Sequence, residues 1–436
     1  MPLFHSSPES HHLSQSGESL SEAFMASSSR ARHSLPEQYR THFDELREGI
    51  LTFCTEFQIP PTALSNREIF GNYLSSHTPC IPFSKMQEAF LLFQRLEYLL
   101  THKEPLKEES KALKEVEPLY HLSEQYTAQV NLLERAGILV DGAIMGIDGN
   151  RYPIPTLEQI AECLCSPERR ELFEIKRGQG FTKLLLVPFG MSLDELIEIF
   201  KQFLLDYKKT HPTFAREHAS SYDDSDNSNW DPLNVWRDYE KADTGIFPLL
   251  SSNSPKVFYH PQCFHPIDHK GKTKVDILED AIQDPLKGWR VLFLQPSDVF
   301  DLDAKGIARI PGVDPERKQE EHPLRPDVGA NKTPEKYLNI LMVSQYNPTS
   351  PYYGESGMTP EDWILAFMTH LEETQQPMDD CQSSEECGSF LMGSFFPSHF
   401  GVPNAGWSWA SQQVKLDRWD PSQRSNQYGI RSAVVI

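Results

Sequence analysis

The sequence predicts an α+β protein: a helical N-terminal region, a mixed α/β middle region and a strand-rich C-terminal region. Three observations predict it. Apolar residues recur at helical spacing in Phe90, Phe93, Leu96 and Leu100, and again in Leu119, Leu122, Tyr126, Val130 and Leu133. Beyond residue 137, short apolar runs bounded by turn residues alternate with capped helical patterns. The chain closes on a polar and aromatic tract without helical period, followed by a plain strand from Ile430 to Ile436. With 436 residues, 39% hydrophobic and 24% charged, the chain has ordinary globular composition and length for two or three domains.

Residues 1–35 are rich in Ser, His and Glu and poor in large apolar side chains, so they are expected to form a disordered tail. His5, His11, His12 and His33 fit a solvated segment, with weak metal binding as the alternative. Residues 36–136 form the helical region. Leu35-Pro36-Glu37 opens a helix running to about Phe57, and Gly137 is a C-terminal stop. Its apolar stripes serve either a core between helices or self-association.

Residues 137–335 form the α+β middle region. Asp141-Gly142 and Asp148-Gly149 surround short apolar runs and predict a hairpin. Thr156-x-x-Gln159 reads as a capping box for a helix to about Cys165. Lys183 to Pro188 is a buried-type strand, and Ser192-x-x-Glu195 caps the next helix, whose apolar face is Leu196, Ile197, Phe200, Leu204 and Tyr207. Residues 212–235 read as loop. Strands are expected at Val257–Tyr259, Val291–Leu294 and Leu338–Val343, with Pro-rich connectors over 311–335. Near the end, Thr359 is an N-cap, Pro360 occupies the first helical position, and Glu361 and Asp362 complement the helix dipole. An acidic loop, Glu372 to Glu386, follows.

The formal net charge of −21 disfavours phosphate backbones, so nucleic acid is not an expected partner. No signal peptide is visible and no stretch reaches the ~18 apolar residues of a membrane span; the default expectation is a soluble cytoplasmic protein. Seven cysteines without a Cys-x-x-Cys do not make a disulfide scaffold, although Cys381 and Cys387 could close a short loop. His260, Cys263, His265 and His269 form the densest cluster of ligand-type residues, but the spacing fits no common zinc frame. Asp223 to Asn229 has the acidic start of a calcium loop without its Gly and Glu. No nucleophile elbow, phosphate-binding Gly loop or His-Glu-x-x-His occurs, so no cofactor and no catalytic residue is assigned.

The final tract carries the functional signal. Trp407, Trp409 and Trp419 lie among Ser, Asn, Asp, Arg and Tyr, the composition of a recognition surface. In the last thirty residues Lys415, Arg418, Arg424 and Arg431 against Asp417 and Asp420 give 4 − 2 = +2 on an acidic chain. Gly393-Ser-Phe-Phe-Pro-Ser398, then Gly401-Val-Pro403, the Trp-rich tract and Gly429-Ile-Arg-Ser-Ala-Val434 resemble the end of a C-type-lectin-like domain of the formylglycine-generating-enzyme branch. Within that branch the chain looks most like the variable proteins of diversity-generating retroelements. Gly180 to Gly190, Gly357 to Trp363 and His370 to Thr374 share the likeness.

The resemblance implies a C-type-lectin-like domain over 336–436, or one extending back to about 240. It also implies scattering of adenine-rich codons by an error-prone reverse transcriptase. Ser408, Ser411, Asp417, Arg418, Asp420, Ser422, Arg424, Ser425, Asn426 and Tyr428 are then candidate diversified contacts. Gly393, Ser394, Trp407, Trp419, Pro421, Gly429 and Arg431 are the constant frame, with Trp407 and Trp419 in the core. Gln412, Gln413, Gln423 and Gln427 fit the adenine rule less well. The expected function is non-enzymatic binding of a protein or cell-surface ligand. The alternative is an oxidase of the formylglycine-generating type, or another metal-dependent enzyme, for which Cys381 and Cys387 are a poor match to the paired cysteines such enzymes use.

Overall fold

In a computed structural model the chain divides into two compact units, residues 1–109 and 110–436. The structure describes residues 28–59, scattered positions from 85 to 103, 110–212, 214, 230–243, 255–282, 284–311, 328–380 and 387–436. The Asp223–Asn229 segment, most of the Pro-rich connector 311–335 and residues 381–386 of the acidic connector, Cys381 among them, lie outside these residues.

The first unit is helical where described. Helix α1 (Ser28–His33) and a 3₁₀ turn (Glu37–Tyr39) precede α2 (Arg40–Glu56). Ala31 and Leu35 are buried, which corrects the expected tail: its last residues are ordered by packing. Helix α2 presents Phe43, Leu46, Ile50, Phe53 and Cys54 to Phe93, Leu96, Leu99 and Leu100. The stripe at 93, 96 and 100 is therefore core of this unit.

The second unit begins with α3 (Lys111–Tyr120) and α4 (Leu122–Arg135), joined at His121 in the left-handed conformation. These helices pack in the second unit's core, so the helical region expected over 36–136 is split at about 110. The hairpin follows as β1 (Ala143–Met145) and β2 (Arg151–Pro153). Next come α5 (Leu157–Leu164), whose capping box is complete, α6 (Arg170–Gly178), β3 (Lys183–Val187) and α7 (Leu193–Thr210). Ser192 sits at the N-cap of α7 but its hydroxyl makes no capping bond.

The remaining elements are β4 (Leu233–Val235), β5 (Phe258–Tyr259), α8 (Lys274–Asp280) and β6 (Arg290–Leu294), then α9 (Pro334–Ser344), β7 (Glu355–Gly357) and α10 (Pro360–Thr374). Strands β8 (Gly388–Phe390), β9 (Ser394–Phe395), β10 (Val402–Ser408), β11 (Gln413–Trp419), β12 (Tyr428–Ile430) and β13 (Ser432–Val435) complete the chain. The class is α+β.

Two larger sheets organise the unit, one of order β3-β6-β13-β7 and one of order β12-β8-β10-β11-β4. Strand β3 is an edge, and α4 covers it. Gln125 Oε1 accepts from Leu184 N at 2.8 Å and Gln129 Oε1 from Leu186 N at 3.4 Å, satisfying backbone donors that an open edge would leave unpaired. Helices α7 and α10 pack through Phe200 against Trp363 and Phe367, with ring centres 6.4 and 5.6 Å apart.

Two expectations fail here. Leu338–Val343 is helix: Thr333 accepts from Lys336 N and Pro334 holds the first turn, so a local start signal overrides β-branched composition. The expected terminal strand is two strands in two sheets, parting at Arg431: β12 pairs with β8 and β13 lies between β6 and β7. Because β13 is central to a sheet begun at residue 183, residues 137–335 and 336–436 share one core and do not form separate domains.

Candidate functional site

The 404–428 tract forms the hairpin β10–β11 and the loop that follows. The two strands pair antiparallel along their length, from Val402↔Trp419 to Ser408↔Gln413. In β11 the pleat sorts the side chains: Val414 and Leu416 are buried, Asp417 is exposed, and Gln413, Lys415, Arg418 and Trp419 are half-buried. Strand β4 runs parallel along the outer side of β11 (Lys415↔Asn234), so the backbone of β11 is paired on both sides over Val414–Leu416.

The turn between the strands is held from beneath. Trp230 Nε1 donates to Gln412 O at 2.9 Å, and Trp409 stands edge-on to the buried Trp407 at 5.6 Å. The loop 420–427 is tied by its own chain. Asp420 Oδ1 accepts from Ser422 N (2.9 Å) and Oγ (2.7 Å), and Trp419 Nε1 donates to Gln423 O at 3.0 Å. Asn331 N to Ser425 O (2.7 Å) and Gly388 N to Gln427 O (2.8 Å) pin its far end. Ser411, Ser422, Arg424 and Asn426 are exposed on this frame.

Beneath the surface lie buried charges. Arg431 pairs with Asp379, which also accepts from Trp363 Nε1 at 2.8 Å, while Asp379 O receives Trp407 N at 2.9 Å. Burial raises the Asp379 carboxyl pKa above its ordinary value although Arg431 opposes the shift. Lys274 Nζ lies 2.8 Å from both Asp243 and Glu361, all nearly inaccessible, and Tyr259 Oη joins the same two carboxylates at 2.8 and 2.7 Å. Burial pulls the Lys274 pKa down, but the two carboxylates outweigh it and the net shift is upward. Arg290 with Asp362 (3.1 Å) and Lys176 with Glu355 (2.7 Å) are further buried pairs.

No family model, curated protein or solved structure matches the chain.

Of the candidate contacts, Ser411, Asp417, Arg418, Asp420, Ser422, Arg424 and Asn426 reach the surface fully or in part. Ser408, Ser425 and Tyr428 do not. Ser408 is fully buried at the end of β10, Ser425 faces inward with its Oγ accepting from Gln427 N, and Tyr428 packs its ring on Phe390 at 5.4 Å. These three are corrected to buried positions, since at 0%, 5% and 7% exposure for Ser408, Ser425 and Tyr428 they offer a partner almost no area.

Gly393, Ser394, Trp407, Pro421, Gly429 and Arg431 are buried. At Gly429 a Cβ would lie 2.7 Å from Val328 O, so only glycine admits that chain approach. Trp419 departs from its expected core placement. It is half-buried, with its ring 6.3 Å from Phe390 on one side and the loop on the other.

The His260–His269 cluster is dispersed. Cys263 Sγ donates to Asp268 O (3.2 Å), His265 Nδ1 accepts from Ile267 N (3.4 Å), and His269 Nδ1 accepts from Gly271 N (3.0 Å). His260 Nε2 lies 3.4 Å from Arg290. Each imidazole or thiol serves its own loop or a nearby cation, and among the described residues no group of three or more His, Cys, Asp or Glu is placed to hold a metal ion. Cys387 is buried with its Sγ against Ile310 O at 3.7 Å. No helix among the described residues is long and apolar enough to cross a membrane.

Sequence reasoning missed Trp230, Trp236, Arg237 and His399, which border the tract from other segments. The aromatic and charged run Trp230 to Asp238 was itself the available signal, but nothing local says that it returns beside β11.

Proposed function

We propose that the chain is a binding protein whose contact surface is the outward face of β11 and the loop after it, presented by a C-type-lectin-like body and diversified by a retroelement. Its partner is another protein. The observation that carries the reading is the division of labour within the tract. Trp407, Val414, Leu416, Ser425, Tyr428, Gly429 and Arg431 are buried, while Ser411, Asp417, Ser422, Arg424 and Asn426 stand clear of the core. A surface that changes freely must not carry the fold, and here the backbone pairing and buried frame hold it instead. Tyr, Trp and Arg, which dominate binding hot spots, border the exposed positions.

The test lies in the neighbouring DNA. A near-copy of the codons for 404–428 that differs only at adenines, beside a reverse-transcriptase gene, supports diversification. A complete locus with neither refutes it.

A further inference from the structure

We propose that Trp236, Arg237 and Arg418 form a carboxylate-recognition site, which takes an acidic side chain of the protein partner. The proposal rests on the binding reading above and deepens it by naming what is recognised at the edge of that surface, where Arg418, on the face of β11 opposite Asp417, meets the segment past β4.

Arg418 projects from β11 and Arg237 from the segment just past β4, and both guanidinium groups rest on the Trp236 indole, with Cζ 5.1 and 5.5 Å from the ring centre. Each is held. Arg418 Nη1 donates to His399 O at 3.0 Å, and its stem fills the space left by Gly401, where a Cβ would come within 2.8 Å of Arg418 Cδ. Arg237 Nη2 lies 3.1 Å from His399 Nε2, and His399 Nδ1 lies 2.9 Å from the buried Asp238 carboxylate. A guanidinium only donates, so Nε2 is the acceptor and the ring proton sits on Nδ1, which lies 3.2 Å from Ser398 Oγ. The one buried carboxylate of the cluster lies beside the imidazole and forms no ion pair with either arginine.

Among the described residues no carboxylate forms an ion pair with the side chain of Arg237 or Arg418, on a chain with 62 acidic residues against 41 basic ones. Arg418 Nε, Trp236 Nε1 and Asp238 Oδ2 are shielded from water without a hydrogen-bond partner, so what remains open to a partner is the exposed Arg237 and the half-buried Arg418. Arg237, Arg418 and Trp236 present only donors, and the one buried acceptor beside them, Asp238 Oδ2, takes no hydrogen bond from any of them. The complement of such a set is an oxyanion. A planar carboxylate matches a guanidinium fork with two parallel hydrogen bonds. The site requires Arg at 418, a position proposed to vary, so the residue there sets what Trp236 and Arg237 can grip.

The test uses the full chain carrying 5-fluorotryptophan, with Trp236 assigned through Trp236→Phe, titrated at low salt with an acetylated and amidated penta-glutamate. The Trp236 fluorine resonance is expected to move saturably. Affinity should fall about tenfold or more in Arg418→Gln and in Arg237→Gln, and stay unchanged in Arg151→Gln on the distant hairpin. No saturable movement, or equal movement in the Arg237→Gln/Arg418→Gln double variant, overturns the proposal. Tighter response to inorganic phosphate than to penta-glutamate overturns the carboxylate assignment. None of these failures touches the diversification reading, which is decided by codon variation.

Discussion

Arg431 meets Asp379 at the point where the chain leaves one sheet for the other, and the same carboxylate holds the Trp363 indole. The pair is nearly inaccessible, with side-chain exposures of 7% and 1%. It ties the end of β12 and the start of β13 to the segment that also receives the backbone of Trp407. The tract proposed as the contact surface is thereby anchored from behind by a charge pair that none of its exposed residues shares.

Replacing Arg431 by Met leaves the Asp379 charge buried without its partner. The expected cost is about 3–5 kcal/mol in urea unfolding. Asp379→Asn/Arg431→Met together should recover part of that loss, because the uncompensated charge is gone. Equal stability of Arg431→Met and the native chain would remove the anchor from the account.

Frame and contact positions should separate cleanly by stability. Trp407→Ala removes a fully buried indole and is expected to cost about 3–5 kcal/mol. Ser422→Ala, Arg424→Ala and Asn426→Ala, at exposed positions, should each stay within about 0.5 kcal/mol of the native chain. Chemical denaturation of the four variants compares them directly.

The tract shows what was legible. Its frame glycines, Trp407 and Arg431 could be picked out because large, small or charged residues stand at fixed points among short polar ones. Ser408 and Ser425 could not be told from Ser411 and Ser422, since burial of a serine is decided by what packs over it. Thr359-Pro360 announced α10, and Thr333-Pro334 announced α9 in the same way, yet the run Leu338 to Val343 reads as strand by composition. The split at Arg431 depends on partners at 292–293 and 355–357, far away in sequence, and no local pattern encodes it.

His370 gives the acid side of stability a definite sign. Burial first, then Arg431, Arg309 and Lys183, lower its pKa from 6.5 to about 3, and its Nδ1 accepts from Ile307 N at 3.0 Å. Between those values the unfolded chain binds a proton that the folded chain does not. The contribution is therefore fully present above pH 6.5 and lost as pH falls toward 3, with a slope of at most about 1.4 kcal/mol per pH unit. His370→Gln should show a shallower loss of stability between pH 7 and pH 4, measured by urea midpoint; parallel curves would contradict it.

Lys274 works in the opposite direction. Its pKa is raised above 10.5 in the folded chain, so its contribution is complete below 10.5 and disappears as pH rises through the folded value. Lys274→Met strands Asp243 and Glu361 and should cost about 3–5 kcal/mol at neutral pH. Glu361→Gln added to it should restore part of the loss, and a melting curve series reads both.

The central claim is that exposed positions of one tract vary while its buried frame does not. Sequencing this locus across many cells of the source population tests it most directly. The account predicts substitutions confined to adenine-templated codons at Ser411, Asp417, Arg418, Asp420, Ser422, Arg424 and Asn426, with Trp407, Trp419, Gly429 and Arg431 unchanged. A uniform tract, or changes spread equally over buried and exposed codons, would contradict it.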